Sequence, residues 1–353
     1  MYNSIDVPLF ITIEKEALFN VKRILEKANL FINNPVIVTD KGKSYDYAKI
    51  VGKRLKIKND RFIFVSDNTY EEVKRVERFA RSLKSDFIIG IGGGKSLDIG
   101  KFACYRYGGY FLSIPTLPSH DGIASPVASI MIDGKRMSVG ASMPVGIIVD
   151  IDVIKSAPKR FLYSGIMDIV SNISAINDWE LAYRKGYEIK YNGFSKAIAF
   201  SAAESVLNYE DKNIYKEEFI KILLNSLVLS GIAMEIAGSS RPASGAEHNF
   251  SHAYDLLYPD NQFLHGEKVG AGHLLVSFLR DKNEYKKIFS CFKSFEILEE
   301  LKNIFHDEDK IFESLKKAKD LRKDRYSFLN EIPFDERIFR SVVKKVKKDI
   351  FSF

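Results

Sequence analysis

Along the first 150 positions, apolar residues fall into two alternating arrangements. Short β-branched runs ending on aspartate, residues 35–40 (PVIVTD) and 61–67 (RFIFVSD), have the pattern of strands buried in a parallel sheet. Between them SYDYAKIVGKRL spaces its apolar residues helically. Residues 69–85 open with a threonine cap, carry glutamates early and basic residues late, and predict a second helix. FIIGIG then predicts a strand, SLDIGKFACYRYG a helix and residues 110–116 another strand. Residues 128–142 differ: two alternating runs flank Asp133-Gly134-Lys135, which predicts a hairpin. Residues 145–150 return to the sheet. Strand alternating with helix implies a parallel sheet with helices on its faces.

From about Pro158 the strand signal nearly vanishes. FLYSGIMDIVSNISAINDWELAYRKG, FSKAIAFSAAESVLNYE and EEFIKILLNSLVLSGIAMEIAG are long helical patterns, and helices continue to the end. The boundary is expected near 156–159, between an α/β domain (1–157) and an all-helical domain (158–353), with the functional site in a cleft between them. A chain of 353 residues, 46% hydrophobic, is long enough for two such cores.

Charge and cysteine narrow the setting. The formal net charge is +7, with basic clusters at 314–325 and 344–349. Both clusters lie in amphipathic helical patterns without interleaved aromatics, so they read as solvated faces, and no nucleic-acid partner is expected. A net positive field attracts a small phosphorylated ligand. Two cysteines far apart, Cys104 and Cys291, form no disulfide framework and suggest buried thiols in a reducing compartment. The N-terminal stretch has no basic region of a signal peptide, and no apolar run approaches the roughly 18 residues of a membrane span. A soluble cytoplasmic protein is expected.

Two stretches carry chemistry. The first is IIGIGGGKSLDIGK, residues 88–101, a strand that ends in glycines and opens a helix. A P-loop needs a glycine where Ile89 stands, and the G-x-G-x-x-G fingerprint needs one where Lys95 stands, so the loop matches neither. The physics is shared: bare amides at a helix N-terminus attract phosphate, and consecutive glycines let it approach the backbone. Asp98 and Lys101 have the spacing of a structural pair.

The second stretch is SGAEHNFSHAYD followed by FLHGEKVGAGH. His248 and His252 share one helical face and His265 opens the next helix. Neutral imidazoles suit zinc or ferrous iron, and a carboxylate is wanted as third ligand. Asp168, inside an apolar helical stretch, is a candidate because a buried aspartate is costly unless paired. Spacing alone does not say which two of the three histidines bind. His273, His306 and His120 read as structural.

The glycine loop, PTLPSHDGIASPVASI, DIVSNISAINDWELA, SSRPASGAEHNFSH and LHGEKVG together resemble the sn-glycerol-1-phosphate dehydrogenases, a branch of the superfamily of glycerol dehydrogenase, iron-dependent alcohol dehydrogenases and dehydroquinate synthase. The resemblance covers essentially the whole chain and implies a dehydroquinate synthase-like fold. It places an NAD(H) or NADP(H) pyrophosphate on the loop of Gly92, Gly93, Gly94, Lys95, Ser96, Leu97 and Asp98. Thr116, Leu117, Pro118, Ser119 and Ser125 also line the cofactor. Asp121 is similar to a substrate-contacting residue. Asp168, His248 and His265 match the ligands of one zinc ion per subunit, with Asp168 also near substrate, and His252 matches a histidine beside the substrate. A homo-oligomer is expected.

The resemblance implies reduction of dihydroxyacetone phosphate to sn-glycerol 1-phosphate, the backbone of archaeal membrane lipids. Zinc would polarise the carbonyl and His252 would supply the proton. Arg241 and Lys268 are candidates, by position, for the substrate phosphate. The alternatives are a polyol dehydrogenase acting on unphosphorylated substrates, and a non-catalytic nucleotide-binding protein. Asp40 at a strand end would repel the 2′-phosphate of NADPH, whereas Lys41 and Lys43 would attract it. One position departs from the family: relatives carry glycine before the metal-binding aspartate, and here Met167 stands there.

Overall fold

The computed structural model describes residues 5–322 and 325–352. Residues 1–4 of the N-terminal stretch, 323–324 of the basic cluster and 353 lie outside the described residues. The chain divides into two compact units, Met1–Pro158 and Lys159–Phe353.

The first unit is built on a six-stranded sheet: β1 (Phe10–Glu14), β2 (Val36–Thr39), β3 (Phe62–Phe64), β4 (Phe87–Gly92), β5 (Tyr110–Pro115) and, after a separate hairpin β6 (Val127–Ile132) and β7 (Lys135–Gly140), β8 (Gly146–Asp150). The strand order is β1-β8-β5-β4-β2-β3 and every pairing within this sheet is parallel. The helices are α1 (Val21–Lys27), α2 (Lys43–Leu55), α3 (Tyr70–Ser82), α4 (Gly94–Tyr107) and α5 (Ile151–Lys155). Every residue of β2, β4 and β8 is buried, which is why their sequences are continuous apolar runs. Ile37, Val51, Ile89, Ile91, Leu112 and Ile148 belong to one core cluster. Thr69 caps α3, its hydroxyl accepting from Glu72 N at 3.3 Å. The hairpin turns at Asp133 and Gly134, both left-handed at φ 49° and 72°, the backbone a two-residue turn needs. β1, which lies outside the strands read from the sequence pattern, pairs with β8 through Phe10 and Gly146.

Among the described residues the second unit is helical: α6 (Lys159–Val170), α7 (Asn172–Arg184), α8 (Gly193–Leu207), α9 (Glu217–Ala237), α10 (Ala246–Leu257), α11 (His265–Arg280), α12 (Lys282–Ser294), α13 (Ile297–Phe305), α14 (Glu308–Leu321), α15 (Phe328–Glu331) and α16 (Glu336–Phe351). The continuous helical pattern from 161 breaks at Ser171, whose hydroxyl donates to the Asp168 carbonyl at 2.7 Å and separates α6 from α7. The expectation about apolar runs needs correction. α9 is 21 residues long with mean hydropathy 1.7, enough by length and composition to cross a membrane. Lys221, Asn225, Ser226 and Ser230 interrupt the run, yet the average stays that high. In the structure 61% of that apolar window is buried and α9 packs on α8, as a core helix does.

Candidate functional site

In the first unit the chain leaves β2 for β3 on one side and β4 for β5 on the other. The carboxyl ends of the adjacent strands β2 and β4 are therefore a switch point, where open α/β sheets bind ligands. Asp40 follows β2 and Gly92-Gly93 ends β4. Asp40 Oδ1 accepts from Gly42 N at 2.7 Å. Asp40 Oδ2 would lie 3.3 Å from a Cβ on Gly92. Side chains are barred from this loop. A Cβ on Gly92, at φ 152°, would meet Ser96 Oγ at 2.7 Å, and one on Gly94 would meet His120 Nε2 at 2.3 Å. α4 begins without a side-chain cap, and the buried Ser96 Oγ has no hydrogen-bond partner. An anion at this helix terminus would supply what both lack, so the residues fit a dinucleotide pyrophosphate.

The remaining loop residues divide by role. Lys95 Nζ donates to the Ser66 carbonyl, and Leu97 is fully buried. Asp98 faces inward: it accepts from Ser129 N at 3.1 Å and pairs with Lys101 at 3.3 Å. Lys101, wholly buried, donates to the carbonyls of Gly122 (2.8 Å), Ser125 (3.2 Å) and Val127 (2.7 Å), tying that segment to α4. Thr116 N donates to the Gly92 carbonyl at 2.9 Å. A cavity of about 380 Å³ opens alongside, lined by Asp40, Lys43, Ser44, Tyr47, Thr116 and Leu117 among others. Pro118 and Ser119 are buried, and Ser125 Oγ donates to the Val127 carbonyl at 3.2 Å. Half-buried Asp121 opens a short turn, Asp121–Ile123, capped by His120, whose Nδ1 accepts from Gly122 N at 2.9 Å. Burial pushes the His120 pKa down against the opposing charges of Asp98 and Asp121.

In the second unit Asp168 on α6, His248 on α10 and His265 at the start of α11 converge, each offering a ligand atom within 4.8 Å of the others. Asp168 Oδ1 lies 3.7 Å from His248 Nε2 and 3.5 Å from His265 Nε2. Zinc–ligand bonds near 2.1 Å imply ligand edges of about 3.4 Å, close to these two carboxylate–imidazole distances. Both rings present Nε2 because Nδ1 is engaged: His248 Nδ1 on Glu247 Oε1 at 2.9 Å, His265 Nδ1 with Ser251 Oγ at 3.4 Å. Asp168 and His248 are buried, while the His265 side chain is 34% exposed and opens one side. Two imidazoles and a carboxylate with an open side fit a catalytic zinc or ferrous ion.

Helix approach sets this convergence. A Cβ on Gly266 would lie 2.0 Å from the Ser164 carbonyl oxygen, so α11 touches α6 backbone to backbone. Met167, the departure noted above, lays its sulfur over Gly270, where a Cβ would meet Sδ at 2.4 Å. Glycines on α11 thus accommodate the bulk that Met167 adds to α6.

His252 is half-buried, its ring centroid 6.5 Å from that of His265. Burial pushes its pKa down to about 3, assisted by the neighbouring His248 ring and the charges of Arg322 and Arg325. The two cations singled out by position are engaged elsewhere. Arg241 Nε binds Glu188 at 2.9 Å and its Nη1 the Tyr326 carbonyl at 2.8 Å. Lys268 pairs with Asp255 at 2.5 Å. Sequence reasoning missed Glu247 and Ser251, the partners of the two imidazoles. The only signal for Glu247 was a carboxylate directly before His248. Burial alone would raise the Glu247 carboxyl, but the His248 ring, Ser174 and Gly245 N hold it below the usual range.

A glycine loop at a sheet switch point, with an aspartate–histidine–histidine set among helices, is an arrangement of metal-dependent, dinucleotide-binding dehydrogenases. The family pattern described as iron-containing alcohol dehydrogenase matches residues 12–158. A probable glycerol dehydrogenase from Sinorhizobium meliloti 1021 superposes with TM-score 0.78 at 18% identity, covering 100% of both chains. Glycerol dehydrogenase from Schizosaccharomyces pombe superposes with TM-score 0.77 at 20% identity, covering 100% of this chain and 93% of that one. At these identities the likeness is one of fold. Sequence relatives are more specific. The glycerol-1-phosphate dehydrogenase, NAD(P)+, of Nitrosopumilus maritimus (strain SCM1) is 39% identical over 299 residues, 84% of this chain and 83% of its own. The enzyme of the same name from Pyrococcus horikoshii is 35% identical over 347 residues, 97% of each chain. The chain belongs to the glycerol-1-phosphate dehydrogenase family.

Proposed function

We propose that the protein reduces dihydroxyacetone phosphate to sn-glycerol 1-phosphate with NADH or NADPH, at a metal ion held by Asp168, His248 and His265. The observation that carries this reading is the convergence of those three side chains, in a chain whose relatives share that activity's name nearly end to end. The product is the backbone of archaeal membrane phospholipids, and the reading is of a soluble cytoplasmic enzyme acting as a homo-oligomer. Residues 1–157 would carry the dinucleotide, and residues 158–353 the metal and substrate.

A bound zinc or ferrous ion supplies Lewis acidity toward a carbonyl oxygen. The reduced dinucleotide supplies the hydride. The protein's own groups do the rest. The α4 N-terminus and Ser96 Oγ hold the pyrophosphate, with Thr116, Leu117, Pro118, Ser119 and Ser125 alongside. Asp121 accepts from a substrate hydroxyl. His252, kept neutral by burial, donates an N–H to the developing alkoxide and passes on a proton drawn from water. The substrate phosphate needs cations close to the reacting groups. Arg322 and Arg325 fit that role better than Arg241 and Lys268, because their charge reaches His252. Arg325 is anchored on Ser240 Oγ at 3.0 Å and on the Ser244 carbonyl, just before α10.

The test follows NADH and NADPH oxidation by the zinc-loaded protein with dihydroxyacetone phosphate, and determines the chirality of the product. Turnover to sn-glycerol 1-phosphate is expected. Turnover confined to unphosphorylated dihydroxyacetone would replace the reading with a polyol dehydrogenase. His252→Ala is expected to lower turnover about 10²-fold or more while zinc content stays at the wild-type level.

A further inference from the structure

We propose that Glu247 is the positioning residue of the metal centre: its carboxylate takes the Nδ1 proton of His248 and so commits the Nε2 lone pair to the ion shared with Asp168 and His265. The inference rests on the metal reading above and deepens it.

Glu247 is 0% exposed, and glutamate is almost never found so buried unless paired. Its Oε1 accepts from His248 Nδ1 at 2.9 Å and from Gly245 N at 2.6 Å, whereas the buried Oε2 has no hydrogen-bond partner. A neutral imidazole has one N–H and one lone pair. With the N–H donated to Glu247, the lone pair is left on Nε2, the atom 3.7 Å from Asp168 Oδ1. The other tautomer would aim a proton at the metal. Asp168 and Glu247 together carry two negative charges, which balance a divalent cation in this buried position.

The surroundings reserve that charge. Asp178, a second buried carboxylate beside Gly245, is satisfied by Arg280 at 2.8 Å and by the amides of Ala246 (2.6 Å) and Phe328 (2.9 Å). Both carboxylates crowd Gly245: a Cβ there would lie 2.7 Å from Asp178 Oδ2 and 2.9 Å from Glu247 Oε2. Arg280 thus neutralises Asp178, and Glu247 is left to His248. At His265 the Nδ1 neighbour is the Ser251 hydroxyl, at 3.4 Å, whereas the Glu247 carboxylate lies 2.9 Å from His248 Nδ1.

A purely structural role is the rival, because Glu247 also accepts from Gly245 N at the start of its own helix. Glu247→Gln separates the two, since the amide oxygen can still accept from that N–H but the charge is gone. Zinc affinity is measured by chelator competition on the full chain, alongside the cobalt(II) absorption spectrum and the metal-free melting temperature. The expected result is a 10- to 100-fold loss of zinc affinity and displaced cobalt bands, with no fall in metal-free melting temperature. Asp178→Asn should lower the melting temperature and leave zinc affinity within about twofold. Wild-type zinc affinity and an unmoved cobalt spectrum in Glu247→Gln overturn the proposal. Should that variant not fold, the zinc-loaded wild type decides by nitrogen-15 NMR. A protonated His248 Nδ1 in a strong hydrogen bond supports the proposal, and a protonated Nε2 overturns it. A wild-type protein that binds neither zinc nor cobalt would instead overturn the metal reading itself.

Discussion

Gly266→Ala places one methyl group between α11 and α6. The new Cβ would sit 2.0 Å from Ser164 O, 2.6 Å from Ser164 C and 2.6 Å from Ser164 Oγ. Backbone atoms cannot rotate away, and ordinary contact lies near 3.4 Å, so the helices must part by about 1.4 Å. Overpacking of this kind costs about 1–3 kcal/mol, which for a unit of this size lowers the melting temperature by about 2–12 °C. The larger consequence is local. His265 directly precedes Gly266, and Asp168 lies one turn beyond Ser164. Their 3.5 Å separation would grow toward about 5 Å, well beyond the roughly 3.4 Å that two ligands of one zinc ion span at bonds near 2.1 Å. Zinc affinity should fall by about 100-fold or more, exceeding the loss of an outer partner. Thermal melting of the metal-free protein and chelator competition measure the two effects separately. A variant that melts as the wild type does and holds zinc as tightly would refute the account of how α6 and α11 build the donor set.

Gly94→Ala drives a Cβ to 2.3 Å from His120 Nε2 and should raise the KM for dinucleotide by roughly tenfold, with zinc affinity unaltered. An unchanged KM would separate this loop from the cofactor. Lys101→Met should cost about 3–5 kcal/mol, because it leaves Asp98 buried without its cation. Denaturant unfolding reads this, and adding Asp98→Asn should recover part of it. Burial pushes the Cys104 and Cys291 thiols up to about 12. A raised pKa keeps the thiol protonated, so at pH 8 only about one molecule in ten thousand carries thiolate. Iodoacetamide should label neither until the protein unfolds, and rapid labelling of native protein at pH 8 would contradict the burial.

Much of the fold is written in local pattern. β2, β4 and β8 are uninterrupted apolar runs because both faces are covered, and α3 announces its start through Thr69. The left-handed Asp133-Gly134 turn and Gly92 at φ 152° answer to backbone conformations that few residue types adopt. These features depend on neighbours a few positions apart, so the amino-acid order alone determined them. It also put His248 and His252 on one helical face, and by the same periodicity left them indistinguishable.

Contacts between distant segments decided the rest. β1 is a strand because β8, more than 130 positions later, offers it a parallel edge. Asp98 and Lys101 sit at the spacing of a structural pair and do pair, but only tertiary contacts bury both and let them hold the segment from Gly122 to Ser129. Arg241 and Lys268 lie in suggestive stretches, but Glu188 and Asp255 occupy them. Asp168 meets His248 and His265 only because Gly266 and Gly270 let α11 press onto α6 around the bulk of Met167. Residue order specifies which groups exist and how each turn or strand begins. Which groups meet is set by close packing of helices and strands far apart in the chain, where an ångström of backbone approach decides whether three side chains form one donor set.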